Sequence, residues 1–482
     1  MRNTLVVAEP LAGALLNWDY PEEERIKYGL LGVSEGAGER RLLLREVISP
    51  ALEDYSRRGP ASAATRAEFV FNVYQQAWNR GLPGIAFVHT HPCSAFFSGT
   101  DRADAGRHRG LAFDFARCYV QLVVGSHGLV GLLHLPDGGT EPIHRIVRIK
   151  ARGIEVVLPE NAPRPGNAGL DRERHRRTLE VGGGVEAALA LVRELRWGLI
   201  GAGGGGAAFL NSFKFLGPRH LVLVDPQRLE RSNANRFMGY RHDDDGRPKV
   251  EVLKRELLAF DPSVEVEAIE EAFPSAAADI ALKTCDVLVT VPDHHWVRLQ
   301  AAAFAARHLQ VLLEGGAGIH ASADGTPYRI SCTTRLQLPP SLGPCLRCLG
   351  VRATLPPLYE ALVAEAQRSY VKGPAQGGLT PASVVTLLAQ LGALLSRHLL
   401  YFLSPLGGDG AALPRYLVYD EIPLTLQDLS PLWSQVPECP ICGAAAPWGY
   451  GDAAPTLPAP PELEIESEPL VSDAAVPGRQ PE

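Results

Sequence analysis

Trp197-Gly-Leu-Ile-Gly201-Ala-Gly203-Gly204-Gly-Gly206-Ala-Ala-Phe, closing on His220-Leu-Val-Leu-Val-Asp225, is the stretch whose reading decides the fold. An apolar run enters a turn that holds Gly201, Gly203, Gly204 and Gly206. A helical pattern over 207–216 comes next, and a second apolar run, 220–224, delivers Asp225. The order is strand, glycine turn, helix, strand, acid. Glycines let backbone come close to a phosphate, and a helix N-terminus offers free N–H groups and the positive end of its dipole. An acid ending the second strand can accept hydrogen bonds from ribose hydroxyls. The stretch predicts a Rossmann-like nucleotide site in an α/β fold.

The residues downstream of Asp225 separate the nucleotide classes. Asn233, Asn235 and Arg236 come first, and Arg247-Pro248-Lys249 one short loop later. A dehydrogenase needs no such cations around its phosphates. An enzyme that attacks the α-phosphate of ATP does, because charge develops on the phosphoryl oxygens. Asp225, Ser232-Asn233-Ala-Asn235-Arg236 and Gly246-Arg-Pro248-Lys249 resemble, in order, blocks of the adenylating domain of the ThiF-like and ubiquitin-activating superfamily. The resemblance implies that Gly201, Gly203, Gly204, Gly206, Asp225, Asn233, Asn235, Arg236 and Lys249 hold ATP. Asp293 ends the apolar run 286–293, where ligands of open α/β sheets bind, and is placed for Mg²⁺ or pyrophosphate. The family carries Asp-Asn there; this chain has Asp293-His294. By the same resemblance Arg236, Lys249 and Asp293 are catalytic, and an arginine ahead of the first strand reaches an ATP phosphate, often in the partner of a dimer. Arg172 is the first choice and Arg177 the second. Taken without the family, that segment is an exposed basic helix face pairing with Glu173 and Glu180.

Composition bounds the rest. The 482 residues carry a formal net charge of −7, with 46% apolar and 21% charged side chains. That length suits two domains plus connections, and the charge gives no basic footprint for nucleic acid. No apolar run reads as long enough to span a bilayer, and the N-terminus turns polar too early for a signal peptide. A cytoplasmic protein without membrane or nucleic-acid partners is expected.

Residues 1–159 read as a first, α+β domain. Runs 28–33 and 41–48 predict two strands, and 65–80 a helix with Phe69, Val70, Val73 and Trp78 near one face. Then comes Gly84-Ile-Ala-Phe-Val-His89-Thr-His91-Pro, with Ser98-Gly-Thr-Asp101 shortly after. His89 and His91 alternate along a strand end, so both imidazoles point to one side. Asp101 can add an oxygen ligand, and two histidines, one carboxylate and a water make a catalytic zinc set. These residues look like the JAMM metalloprotease motif. The resemblance implies zinc on His89, His91 and Asp101, Ser98 hydrogen-bonded to the carbonyl oxygen under attack, and an upstream glutamate as base. Glu24 suits that place, with Glu22 and Glu23 as neighbours that could serve. It also implies cleavage at the C-terminus of ubiquitin-like proteins.

Residues 160–170 read as a linker and 171–450 as the adenylating domain. Cys345-Leu-Arg-Cys348 and Cys439-Pro-Ile-Cys442 form two knuckles, which together predict a closed, four-cysteine structural zinc clip. The apolar pattern 380–403 predicts a long helix packed on the sheet. Residues 451–482 read as an acidic, Pro-rich disordered tail. The region between the knuckles, including 370–378, has no cysteine, so an acyl-adenylate is expected without an enzyme thioester. The combined expectation is a fusion that processes a ubiquitin-like or sulfur-carrier protein ending in glycine and adenylates its carboxylate. It would use ATP, Mg²⁺ and Zn²⁺, act as a homodimer through the adenylating domain and pass its product to a conjugating enzyme. A regulatory scaffold with degenerate sites is the alternative, and a nicotinamide dehydrogenase a third.

Overall fold

The computed structural model describes residues 1–17, 23–60, 62–163, 170–321, 327–351, 385–404, 412–421 and 424–454. The stretch 370–378 lies outside them.

Among the described residues the N-terminal part builds a nine-stranded mixed sheet. Its middle runs Arg2–Ala8, Glu39–Ile48, Ile26–Gly36, Gly84–Thr90 and Cys118–Val124 in spatial order. Strand Gly84–Thr90 is buried on both faces. Ala86 and Val88 join one apolar layer, and Ile85 and Phe87 join the layer under helices Ala67–Asn79 and Gly99–Phe115. The first of these helices buries Val70, Val73, Tyr74 and Ala77. Trp78, expected on that face, is exposed instead, where its ring meets Phe115 edge-on. The i, i+3, i+4, i+7 set that begins at Val70 excludes position 78.

The second sheet has eight strands among the described residues. Glu265–Ile269, His220–Val224, Arg196–Ile200, Val287–Thr290 and Val311–Ala321 are parallel, and Pro327–Gln337, Tyr416–Glu421 and Leu424–Asp428 continue antiparallel. Ile200 therefore ends in register with Val224 and Thr290, which puts the glycine turn, Asp225 and the 291–293 loop at one edge. The helix after the turn spans Gly204–Phe213, three residues earlier than the apolar pattern starts. Gly204, Gly205 and Gly206 themselves form its first turn.

Helix Val385–Leu403 is, by length and composition, long and apolar enough to cross a membrane, contrary to the expectation of no such run. Here it packs on helix Gly204–Phe213 and the sheet, burying Leu387, Leu391, Leu395, Leu399 and Phe402. Its Gly392 is forced by proximity, since a Cβ there would lie 2.4 Å from the Ala208 carbonyl oxygen.

Met1–Ala353 and Pro381–Ala454 form one compact unit that contains both sheets. Val6, Leu43, Val147 and Ile149 of the first sheet share an apolar core with Trp197, Val287 and Val311 of the second. At the seam Asp286 is fully buried, 2.6 Å from Arg41 and 3.0 Å from Arg145. Burial alone would raise its carboxyl; the Arg145 and Arg41 guanidiniums outweigh that and hold it at about 2. Residues 451–454 are not tail. Gly451 bridges to Val33, and Asp452 binds Lys283 and the Glu35 N–H. Residues 164–169 of the expected linker lie outside the described residues.

Candidate functional sites

The glycine turn is shaped for a ligand by what each Cβ would meet. Gly201 has φ +94°, left-handed and open to glycine. A Cβ on Gly206 would lie 2.1 Å from the Gly201 carbonyl oxygen, and one on Gly204 2.6 Å from Leu388. A Cβ on Gly203 would meet nothing within 4 Å. The turn is thus packed from behind and bare at its mouth, at the N-terminus of a ten-residue helix.

Asp225 is buried, and its carboxylate accepts the Ala202 N–H at 2.7 Å and the Gln227 N–H at 2.8 Å. One oxygen thus ties the acid to the glycine turn, and the carboxylate keeps lone pairs for a ribose. Burial raises its pKa against the pull of Lys249. Lys249 opens helix Lys249–Phe260, is itself buried and donates to Gln227 Oε1 at 2.5 Å. Burial lowers its pKa, while Asp225 and Asp293 raise it and Arg236 lowers it. These four charges therefore sense one another. Arg236 is partly exposed; its guanidinium donates to the Ser232 carbonyl and Asn235 Oδ1, and its Cγ lies 3.5 Å from a Cβ built on Gly204. Asn233 is buried, capping its own turn through the Glu230 N–H. Asp293 is exposed on the loop that touches Gly201 through Val291 and Pro292.

Sequence reasoning missed what holds that loop. Arg298 donates to the Pro292 carbonyl at 2.8 Å and pairs with buried Glu314, which also pairs with Arg335. An acid ending the buried run 311–314 was the available signal. Gln227, which joins Lys249 to Asp225, has no signal in isolation. Arg172 is not brought to this site within the chain. It is exposed and pairs with Glu186, while Arg174 reaches the Lys214 carbonyl at the far end of the helix that the turn opens. Arg177 lies in the short helix Arg176–Leu179, also exposed.

The second site is a cleft of about 200 Å³ lined by Glu24, Arg57, Phe87, His89, His91 and Phe96, with Ser98 and Asp101 also in its wall. The Nε2 atoms of His89 and His91 are 3.3 Å apart, and Asp101 lies 3.0 Å from the first and 3.5 Å from the second. Two nitrogens on one tetrahedral zinc, each about 2.0–2.1 Å from it, stand about 3.3 Å apart. The set therefore fits a zinc ion. Both histidines are buried, and among the described residues their Nδ1 atoms find no hydrogen-bond partner. Burial raises Asp101, but hydrogen bonds from His89 and His91 outweigh it and hold the carboxylate ionised. The glutamates separate clearly. Glu24 sits in the cleft 4.0 Å from His91, its pKa raised by burial; Glu23 pairs with Arg58. Glu22 is outside the described residues. Ser98 caps helix Gly99–Phe115, its Oγ accepting the Asp101 N–H at 3.1 Å while Asp101 accepts the Ser98 N–H at 2.6 Å.

The third cluster is Cys345, Cys348, Cys439 and Cys442, all buried. Sulfur pairs 345–439 and 348–442 are each 3.6 Å apart. Four thiolates at about 2.3 Å from zinc would stand about 3.8 Å apart, so the donors suit that metal. Cys285 and Cys332 are buried, and burial pushes their thiols up to about 12.

The fold and first site define a nucleotide-binding α/β protein with an acid and a buried lysine beside a glycine-opened helix. The ThiF family matches residues 175–441, more than half of the chain, and the chain belongs to that family. It is 27% identical over 245 residues to a Thermus thermophilus sulfur carrier protein adenylyltransferase, covering 51% of this chain and 81% of that protein. It is 27% identical over 278 residues to the SAMP-activating enzyme E1 of Haloferax volcanii, covering 57% of this chain and 89% of that protein. Among solved structures, E. coli MccB with succinimide aligns with a TM-score of 0.44 and 18% identity, over 58% of this chain and 77% of that one.

Proposed function

We propose that this protein adenylates the C-terminal carboxylate of a ubiquitin-like or sulfur-carrier protein with ATP. Lys249 carries the reading: it is buried, feels the charges of Asp225, Asp293 and Arg236, and is joined through Gln227 to Asp225, which holds the Ala202 N–H of the glycine turn. The names of the relatives support the substrate class. A carrier carboxylate oxygen attacks the α-phosphorus; a P–O bond forms, the bond to the bridging oxygen breaks, and pyrophosphate leaves with that oxygen. Lys249 and Arg236 stabilise the charge that gathers on the phosphoryl oxygens. The first turn of helix Gly204–Phe213 holds phosphate, and Asp225 holds the ribose. Asp293 would hold Mg²⁺, which supplies further neutralisation of the phosphates. The products stop at acyl-adenylate and pyrophosphate, since no cysteine among the described residues is placed for a thioester. Arg172 could serve only a second copy of the chain, so the homodimer belongs to this proposal, as does a conjugating enzyme as the next acceptor. Labelled pyrophosphate should exchange into ATP only when a carrier ending in glycine is present. Absence of exchange with every candidate carrier would remove the reading.

A second reading belongs to the N-terminal cleft: a JAMM-like zinc peptidase acting at the C-terminus of such a carrier. The four-residue set Glu24, His89, His91 and Asp101 favours it. His89, His91 and Asp101 would hold the zinc, which would lower the pKa of a bound water. Glu24 is placed to take a proton and deliver it to the leaving amine. Ser98 keeps its own O–H free to donate to the carbonyl oxygen of the scissile bond. Metal analysis tests it: two zinc per chain, one lost in His89→Ala, supports the peptidase. One zinc indifferent to that change favours a scaffold with a degenerate cleft.

A further inference from the structure

Behind the cleft lies a polar pair that neither proposed reaction uses. Gln121 is on strand Cys118–Val124, parallel to Gly84–Thr90 and in register with Phe87. Its odd-numbered position turns it to the same face as His89, while Val120, Leu122 and Val124 enter the opposite layer. The layer on Gln121's own face is otherwise mostly apolar and aromatic, with Tyr28, Tyr74, Phe87 and Tyr119. Gln121 is buried to 2% exposure and His134 to 6%. An amide there is costly to bury unless both its ends are bonded. Both are. Nε2 donates to the Asp101 carbonyl oxygen at 3.1 Å, and Oε1 lies 3.3 Å from His134 Nε2. His134 rests on the Tyr119 ring, 5.3 Å between centroids.

We infer that Gln121 is a positioning residue of the metal cleft, fixing the backbone of Asp101 so that its carboxylate stays over the two histidines. The inference rests on the metal reading of that cleft. Asp101 is held from two directions: the Ser98 N–H binds its carboxylate, and Gln121 binds its carbonyl. The Ser98 contact sets the side chain relative to the helix. The Gln121 contact ties the helix's first turn to the strand neighbouring the histidines. The Asp101 carbonyl can only accept, which fixes the amide's orientation and leaves Oε1 facing His134 Nε2. An apolar residue of the same size would pack as well and leave the first turn free to drift. Partners that orient metal ligands are typically worth roughly 10–100-fold in metal affinity.

The test uses Co²⁺ titrated into the metal-free full-length chain and read by absorption. The four-sulfur cluster gives intense sulfur-to-metal charge-transfer bands, and the cleft gives only weak ligand-field bands, so the two sites are read separately. In Gln121→Leu, cleft affinity should fall roughly 10–100-fold while the four-sulfur site is unchanged and serves as the reference. In His134→Phe, which keeps a ring on Tyr119, the fall should be smaller and in the same direction. Unchanged cleft affinity in Gln121→Leu overturns the inference, and so does equal weakening of both sites, the mark of general destabilisation. If the unsubstituted chain shows sulfur bands alone, the metal reading of the cleft fails first, and the two failures remain distinct.

Discussion

The proposed adenylating chemistry rests most heavily on one side chain, Lys249. Replacing it by Met keeps the buried volume and removes the charge. Pyrophosphate exchange should fall roughly 10²–10³-fold, as when one preorganised charge donor is lost from a site. A change below about threefold would sink the assignment. Gly203 and Gly206 make a sharper pair. Gly203 has φ −69° and open space, so Gly203→Ala should leave stability within about ±0.5 kcal/mol yet raise the KM for ATP. Gly206→Ala drives a methyl into the Gly201 carbonyl and should cost about 1–3 kcal/mol or prevent folding. Thermal melts beside nucleotide kinetics separate the two. At this scale much was legible. The ordered blocks around Asp225, Arg236 and Lys249 and the His89–Asp101 spacing are local patterns, and local patterns survive in sequence. Pairing by tertiary contact was not legible: Gln227 with Lys249, Arg298 with the Pro292 carbonyl, Glu23 with Arg58.

Helix Val385–Leu403 shows the same limit at the scale of elements. Its apolar pattern announced a helix, but its length and composition alone fit a membrane as well as a core. Its register decides, with Gly392 against Ala208 and His398 against the sheet. His398 is almost fully buried, its Nδ1 2.9 Å from Thr334 Oγ1 and its Nε2 2.8 Å from the Pro414 carbonyl. The neutral ring satisfies both, donating from Nε2 and accepting at Nδ1. Burial lowers its pKa from 6.5 to about 4. The unfolded chain thus takes up this proton near pH 6.5 and the folded chain only near 4. The stability it contributes is complete above the unfolded value and is lost as pH falls from about 6.5 to 4, by on the order of 3 kcal/mol. Urea unfolding at about pH 7 and about pH 4.5 should show that loss, and His398→Gln should shrink it. An unchanged acid limb would mean that other groups set it. The glycine-turn helix teaches the converse: three glycines read as loop because their propensity for helix is poor, yet close packing on Leu388 and Val291 forces them into the first turn.

The whole molecule separates what its two readings join. Along strand Ile26–Gly36, Gly32 abuts Gly449 at the seam, while Ile26 pairs with His89, six residues or about 20 Å away. Along helix Val385–Leu403, Phe402 faces Gly153 of the first part, while Leu388 touches Gly204, fourteen residues or about 21 Å away. Among the described residues the lining of the cleft comes from the first part, up to Asp101. The cleft is thus built from the first part and the glycine-turn site from the second. Two inactivated chains, His89→Ala and Lys249→Met, should therefore complement one another when mixed, carrying a precursor to the adenylate as fast as the same sites on one chain. Failure of the mixture, with each remaining single activity intact, would show that the sites must share a molecule. The buried Asp286 between Arg41 and Arg145 was invisible in sequence because its partners are 245 and 141 residues away.

That seam has a consequence for the traffic of the carrier. On the two proposed readings, a tail trimmed in one half would have to reach the other half through the surrounding solution, where rival users could intercept it. Joining the halves would then guarantee equal numbers of both proposed activities without giving the tail a private corridor.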